Sequence, residues 1–122
     1  MMRRLARPAA LAALPAGAAA LFHLRLARAE PAVNATVATP PAAVRLWFSQ
    51  PAEVAVTRVR LVGPAGPVAL AAPVADSGGV RASVRGPLRP GAYTVEWRTM
   101  AADGHAVSGR YAFRVGAASA AR

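Results

Sequence analysis

The segment Pro90–Val115 constrains the fold most, because apolar and polar residues alternate along it on both sides of one short polar turn. Its first half places Tyr93, Val95 and Trp97 at every second position, and its second half repeats the alternation. This period of two is typical of a β-strand with one buried face. Between the halves lies Asp103-Gly104-His105. The segment is therefore predicted to form two antiparallel strands joined by a turn that carries a carboxylate and an imidazole.

Shorter segments of the same character precede this hairpin, and Gly, Pro, Asn and Asp residues punctuate them at intervals of roughly 8–12 residues. No convincing helix pattern follows residue 23, and Ala75–Gly79 is expected to be a loop. The pattern predicts an all-β fold, an antiparallel Greek-key β-sandwich or barrel of seven or more strands. Besides a first strand around Leu24 and Leu26, the expected upstream strands are Ala43–Gln50, Val54–Val62, Val68–Ala72 and Val80–Val84.

The composition excludes several kinds of site. The chain has no cysteine, so disulfides, thiolate metal sites and cysteine nucleophiles are ruled out. All 15 basic residues are arginine and five residues are acidic, and from His23 onward 12 arginines remain against the same five acids, a net charge of +7. These arginines are spread singly along the predicted strands, without a basic run. They indicate a solvated sheet face, and no nucleic-acid partner is expected.

Residues 1–22 are predicted to be a secretory signal peptide. An arginine-rich start, Arg3, Arg4 and Arg7, precedes the apolar stretch Leu11–Phe22. This stretch is too short to span a membrane, which takes about 20 apolar residues. The domain is therefore expected over residues 23–116, followed by a disordered tail at 117–122. The mature chain is expected to have no transmembrane segment.

The cleavage position stays open. Cleavage before His23 would leave Phe22 in a position where the peptidase prefers a small residue, and cleavage after Ala20 would leave two residues ahead of His23. Cleavage after Ala29 fits the small-x-small pattern, but it would remove His23 and the expected first strand. The export route, Sec or twin-arginine, is equally open.

His23 and His105 are the only histidines of the chain. If His23 becomes the mature N-terminus, its α-amino group and imidazole can close a chelate ring on one metal, since an α-amino pKa is about 7.7–8.0. Asp103 and His105 would complete a set of three nitrogens and one oxygen. Tetragonal nitrogen and oxygen ligation favours Cu(II). Otherwise, Asp103 and His105 are simply an exposed polar turn.

Seven segments together match the pattern of one known family: His23–Leu26, Glu30–Ala32, Val44–Ser49, Leu88–Tyr93, Val95–Arg98, Asp103–His105 and Ser108–Val115. On these segments the sequence resembles the CopC family of periplasmic copper-binding proteins over residues 23–115. The family's fold is a Greek-key β-sandwich or barrel, immunoglobulin-like or cupredoxin-like, and the resemblance implies that His23, Asp103 and His105 bind Cu(II).

Two departures from the family pattern qualify the resemblance. Some members carry a Met-rich loop that binds Cu(I), but residues 63–79 contain neither Met nor His and Met100 is the only Met beyond the signal segment. A member that binds only Cu(II) is therefore expected. Many members also have an acid after the Phe-Ser pair, where this chain has Gln50. Gln50, or Glu53 as a substitute, is expected to support the N-terminal amine from outside the ligand set.

The resemblance implies a monomeric, non-enzymatic, periplasmic Cu(II) carrier or buffer in copper homeostasis and resistance. An inner-membrane copper transport protein of CopD type is the implied partner. Two alternatives remain. A histidine-brace copper enzyme would share His23 and His105, but Asp103 would occupy a position that oxygen chemistry needs open. A metal-free interaction sandwich would retain no copper after dialysis.

Overall fold

The computed structural model describes residues 24–117. Within this range nine strands and a single turn of 3-10 helix, Val54–Val56, form two packed sheets. The strands are β1 (Leu26–Glu30), β2 (Thr36–Val37), β3 (Ala43–Phe48), β4 (Arg58–Gly63), β5 (Gly66–Val68), β6 (Val74–Asp76), β7 (Gly79–Ser83), β8 (Gly91–Met100) and β9 (Ala106–Val115). No helix of this range is long and apolar enough to cross a membrane.

One sheet has four strands in the order β1-β3-β7-β6, and the other has five in the order β2-β9-β8-β4-β5. Strands far apart in sequence are neighbours, β3 beside β7 and β4 beside β8, as Greek-key connections produce. The predicted all-β sandwich of seven or more strands is confirmed. One pair departs from the antiparallel pattern, because the two-residue strand β2 runs parallel to β9.

The core lies between the sheets and follows the alternation in the sequence. Val44, Leu46, Leu61 and Val95 are fully buried, and each such side chain contributes about 1.5–3 kcal/mol. Phe113 is 1% exposed and stacks on Tyr93 with 5.4 Å between the ring centroids. Strands β8 and β9 pair along their whole length of 10 residues each. This long hairpin holds its turn at one end of the sandwich.

Three predicted elements differ clearly from the structure. The expected strand Val68–Ala72 is instead β5 (Gly66–Val68), because Gly66 already pairs with Gly63 across a two-residue turn. Beyond β5, Leu70 forms only an isolated bridge with Val84.

The expected strand Val54–Val62 begins only at Arg58, because the backbone N–H groups of Val56 and Thr57 turn back to carbonyls at Glu53 and Val54. The Thr57 hydroxyl also donates to the Glu53 carbonyl at 2.6 Å, which stabilises the 3-10 turn.

The expected loop Ala75–Gly79 instead contains part of strand β6 and the start of β7, which form a hairpin. Ser77 and Gly78 connect the two strands with φ of 51° and 84°. Positive φ at both central residues is the conformation of a two-residue hairpin turn whose twist matches that of the strands.

Candidate metal centre

The turn between β8 and β9 is held by its own backbone. The Ala101 amide donates to the His105 carbonyl and the Gly104 amide donates to the Ala101 carbonyl, both at 2.9 Å. Gly104 has a φ of +90°, and a Cβ placed there would meet no atom within 4 Å. Glycine is therefore favoured by the backbone conformation and not by lack of space. The turn brings Asp103 and His105 together.

Both oxygens of the Asp103 carboxylate accept hydrogen bonds from His105. Oδ1 accepts the backbone amide at 3.0 Å, and Oδ2 lies 2.9 Å from Nδ1 of the ring. A neutral imidazole that donates from Nδ1 keeps its lone pair on Nε2, which is then the nitrogen able to bind a metal. The two side chains are 83% and 59% exposed, so solvent and ions reach them directly.

The pKa of the His105 ring is raised above its ordinary 6.5. The main cause is the hydrogen bond to Asp103, and the attraction between the carboxylate and the imidazolium adds to it. A small desolvation effect acts in the opposite direction. Protons therefore compete for this ring over a wider pH range than they do for an isolated histidine.

The described chain begins at the end of the sandwich that carries this turn. Leu24 is 2% exposed, and Arg25 donates its amide to the Ser49 hydroxyl at 3.0 Å while its carbonyl accepts the Ser49 amide at 2.8 Å. Phe48, next to Ser49, contacts the Trp97 ring of β8 edge to face at 5.0 Å. Trp97 lies towards the turn end of β8. His23 itself lies outside the described residues.

Gln50 and Glu53, the predicted supporting residues, follow strand β3 at this same end. Gln50 is half-buried directly after Ser49. Glu53 is exposed, and its side chain makes no capping hydrogen bond to the 3-10 turn, which uses only its carbonyl. The position of Gln50 next to the Arg25–Ser49 contact makes it the better candidate for a supporting role.

Beneath the turn, Thr99 and Thr57 form a contact that the sequence pattern did not single out. Their hydroxyls lie 2.7 Å apart and the two residues are 1% and 4% exposed. This buried pair connects the 3-10 turn to strand β8, two residues before the turn between β8 and β9 begins. The alternation in the sequence could have indicated that Thr99 is buried, because Thr99 follows Tyr93, Val95 and Trp97 at the next alternate position.

Among residues 24–117, no three His, Asp or Glu side chains gather closely enough to hold a metal ion. The described part of the site thus supplies two side chains, Asp103 and His105. His23, the third expected ligand, lies outside this range.

Comparison with known proteins identifies the family. A model of the CopC domain matches residues 26–116. The chain belongs to the CopC family. Protein YobA of Escherichia coli K12 is 32% identical over 107 residues, which cover 76% of this chain and 78% of YobA.

Two solved CopC-family structures share the fold. The crystal structure of CopC from Methylosinus trichosporium OB3b superposes with a TM-score of 0.71 at 26% identity, covering 82% of this chain and all of that one (100%). PcoC, a methionine-rich copper resistance protein from Escherichia coli, gives a TM-score of 0.67 at 33% identity and covers 76% of this chain and 98% of PcoC.

Proposed function

We propose that this CopC-family protein binds Cu(II) through His23, Asp103 and His105 and acts as a periplasmic copper carrier or buffer in copper homeostasis and resistance. The observation that carries the proposal is the hydrogen-bonded pair of Asp103 and His105, at 2.9 Å in an exposed turn. It lies at the end of the sandwich where the described chain begins. Copper is the cargo of such a protein and not the centre of a reaction.

The donor chemistry suits Cu(II). His105 offers Nε2, because Nδ1 faces the Asp103 carboxylate. A carboxylate has about four lone-pair positions, so Asp103 can accept both hydrogen bonds from His105 and still ligate. The α-amine and imidazole of a mature N-terminal His23 would complete three nitrogens and one oxygen, a set that favours Cu(II) among the divalent ions. Gln50 would orient the N-terminal amine from outside the ligand set.

The sulfur content supports a preference for Cu(II). PcoC is described as methionine-rich. In residues 24–117 of this chain Met100 is the only methionine, and it is 36% exposed. Cu(I) prefers soft thioether and thiolate ligands. One thioether and no cysteine make a poor Cu(I) site, so we infer a carrier specialised for Cu(II).

The cellular setting follows from the same proposal. Residues 1–22 would direct export to the periplasm and be removed there, leaving a domain of residues 23–116. The mature protein would act as a monomer and exchange copper with an inner-membrane transport protein of CopD type. No enzymatic activity is proposed, because four protein donors leave no open position of the kind that catalytic metal sites keep.

Replacing the paired side chains tests the site. We expect His105→Ala and Asp103→Ala each to weaken Cu(II) binding by about 100-fold or more, since even residues that only support metal ligands are worth roughly 10–100-fold. Competition titration against a chelator of known affinity measures the loss. Both side chains are exposed, so far-UV circular dichroism should show an unchanged fold.

Asp76→Ala is the matched control, since it removes a carboxylate from strand β6 in the other sheet. It should leave Cu(II) affinity unchanged. Wild-type affinity in the His105 and Asp103 variants would overturn the site. Oxidative turnover of a polysaccharide by the copper-loaded protein with peroxide would instead favour the histidine-brace enzyme.

A further inference from the structure

The outward face of strands β4, β8 and β9 gathers arginines that the sequence spreads far apart. We call Arg58, Arg60, Arg98 and Arg110 the arginine face. They stand in two rows across three neighbouring strands. One row is Arg60, Glu96 and Arg110, and the other is Arg58, Arg98 and Ser108. All four arginines are exposed.

Folding alone does not account for this arrangement. Arg58 lies directly opposite Arg98, and like charges in that relation destabilise a sheet. Of these four arginines, only Arg60 has a carboxylate partner in the described part of the chain, Glu96 at 3.6 Å. Among residues 24–117, Arg58, Arg98 and Arg110 are in no ion pair. The four-stranded sheet is different, since an acidic residue accompanies each of its arginines Arg28, Arg45 and Arg81.

The arginine face is concave. Its residues line a surface cavity of about 790 Å³, together with an uncharged segment, Leu70–Pro73, that connects β5 to β6. Such a cleft admits a narrow chain better than a flat bilayer surface. Trp97 also lines the cleft, but it is only 7% exposed. Its indole ring is therefore too buried for nucleic-acid bases to stack on it.

We propose that the arginine face binds an acidic, extended segment of a partner protein. Arg58 and Arg60 are two residues apart on one strand, a spacing of about 6.8 Å. Carboxylates at alternate positions of an extended peptide repeat at the same distance. Arginine pairs with carboxylates through strong, charge-assisted hydrogen bonds. The uncharged segment Leu70–Pro73 would contact the uncharged residues between the acids. The proposal does not depend on copper binding.

The test uses the wild-type domain and a short fluorescein-labelled peptide of alternating Glu and Thr. Fluorescence anisotropy should show saturable binding that weakens at high salt, because screening acts on exposed charges. A peptide of alternating Gln and Thr should not bind. Arg58→Gln combined with Arg98→Gln should weaken binding of the Glu peptide by about tenfold or more.

Arg85→Gln combined with Arg89→Gln is the matched control. It changes the net charge equally, but neither residue lines the cleft. It should bind the Glu peptide as the wild type does. Both double variants should keep the Cu(II) affinity of the wild type, and their melting temperatures should equal or exceed that of the wild type. Failure of the wild type to bind, or equal weakening in both double variants, would overturn the proposal. So would stronger binding to phosphatidylglycerol vesicles or single-stranded DNA than to the Glu peptide.

Discussion

Asp103 and His105 show how two side chains can be positioned by one turn. The sequence analysis placed both residues in one predicted turn, and in the structure their side chains lie 2.9 Å apart. The sequence pattern did not indicate which ring nitrogen would face the carboxylate. The ring orientation depends on the conformation of the turn, in which Gly104 has a φ of 90°. The backbone amide of His105 also donates a hydrogen bond to Oδ1 of Asp103. The sequence therefore sufficed to place Asp103 and His105 in the same turn, but the three-dimensional structure was needed to show which ring nitrogen faces the carboxylate.

Titration of the metal-free protein tests this pairing. The His105 ring should titrate above 6.5, because Asp103 stabilises its protonated form. The raised pKa stabilises the folded state below the unfolded-state pKa, and that contribution disappears as pH rises through the folded-state pKa. We expect Asp103→Asn to return the pKa of His105 towards its ordinary value. NMR titration of the ring protons measures both proteins, and an equal pKa in the two would contradict the hydrogen bond.

At the scale of strands, predictability followed the length of the alternation. The β8–β9 hairpin was visible because 10 residues on each side keep a period of two. The 3-10 turn Val54–Val56 was not, because an apolar triplet looks like strand when the Thr57–Thr99 contact is unknown. Strand β2 pairs with β9 over two residues, which is too few for any periodic pattern.

Gly109 tests how tightly the hairpin packs. A Cβ on Gly109 would lie 2.6 Å from the Trp97 ring, which Phe48 contacts edge to face. We expect Gly109→Ala to destabilise the fold by about 1–3 kcal/mol through overpacking. Urea unfolding measures the change in the free energy of unfolding.

Gly86→Ala is the control for this measurement. A Cβ there would meet no atom within 4 Å, and its φ lies outside the range that strains other residues. We expect a change within about 0.5 kcal/mol. Equal effects of the two substitutions would show that the ring moves aside freely.

For the whole molecule, the proposed site depends on processing of the chain. Cleavage after Ala29 would remove nearly all of β1, together with the buried Leu24 and the Arg25–Ser49 hydrogen bonds. Loss of an edge strand and its packing argues for cleavage further upstream. The sequence could not decide the cleavage position. The small-x-small preference of the peptidase favours cleavage after Ala29, whereas keeping the first strand in the sheet requires cleavage further upstream.

The N-terminus can be measured directly. Mass spectrometry of the exported protein should show a chain that begins at His23. A glycine inserted before His23 should weaken Cu(II) binding by about tenfold or more, because the chelate of amine and imidazole is lost. Competition titration of the two proteins provides the comparison. A chain that begins at Glu30, or unchanged affinity after the insertion, would exclude the amine as a ligand.

The arginine face is also a property of the whole molecule. Its members lie between positions 58 and 110, and each looks like an ordinary outward residue of its own strand. Only the register of three strands brings them side by side. The prediction of a solvated face was made strand by strand, so it could not anticipate a cluster of four cations with one carboxylate partner among them.

The outermost strands have a consequence for how the protein behaves when crowded. In the described part of the chain, β2, β5 and β6 are only two or three residues long, and β5 contains Pro67. The fourth border, β1, carries the Arg28–Glu30 ion pair and a bulge in its register with β3. Edge strands that are short, charged or irregular do not present a long row of unpaired backbone N–H and C=O groups with which a strand of a second copy could pair. We therefore expect concentrated solutions of the domain to resist fibre formation.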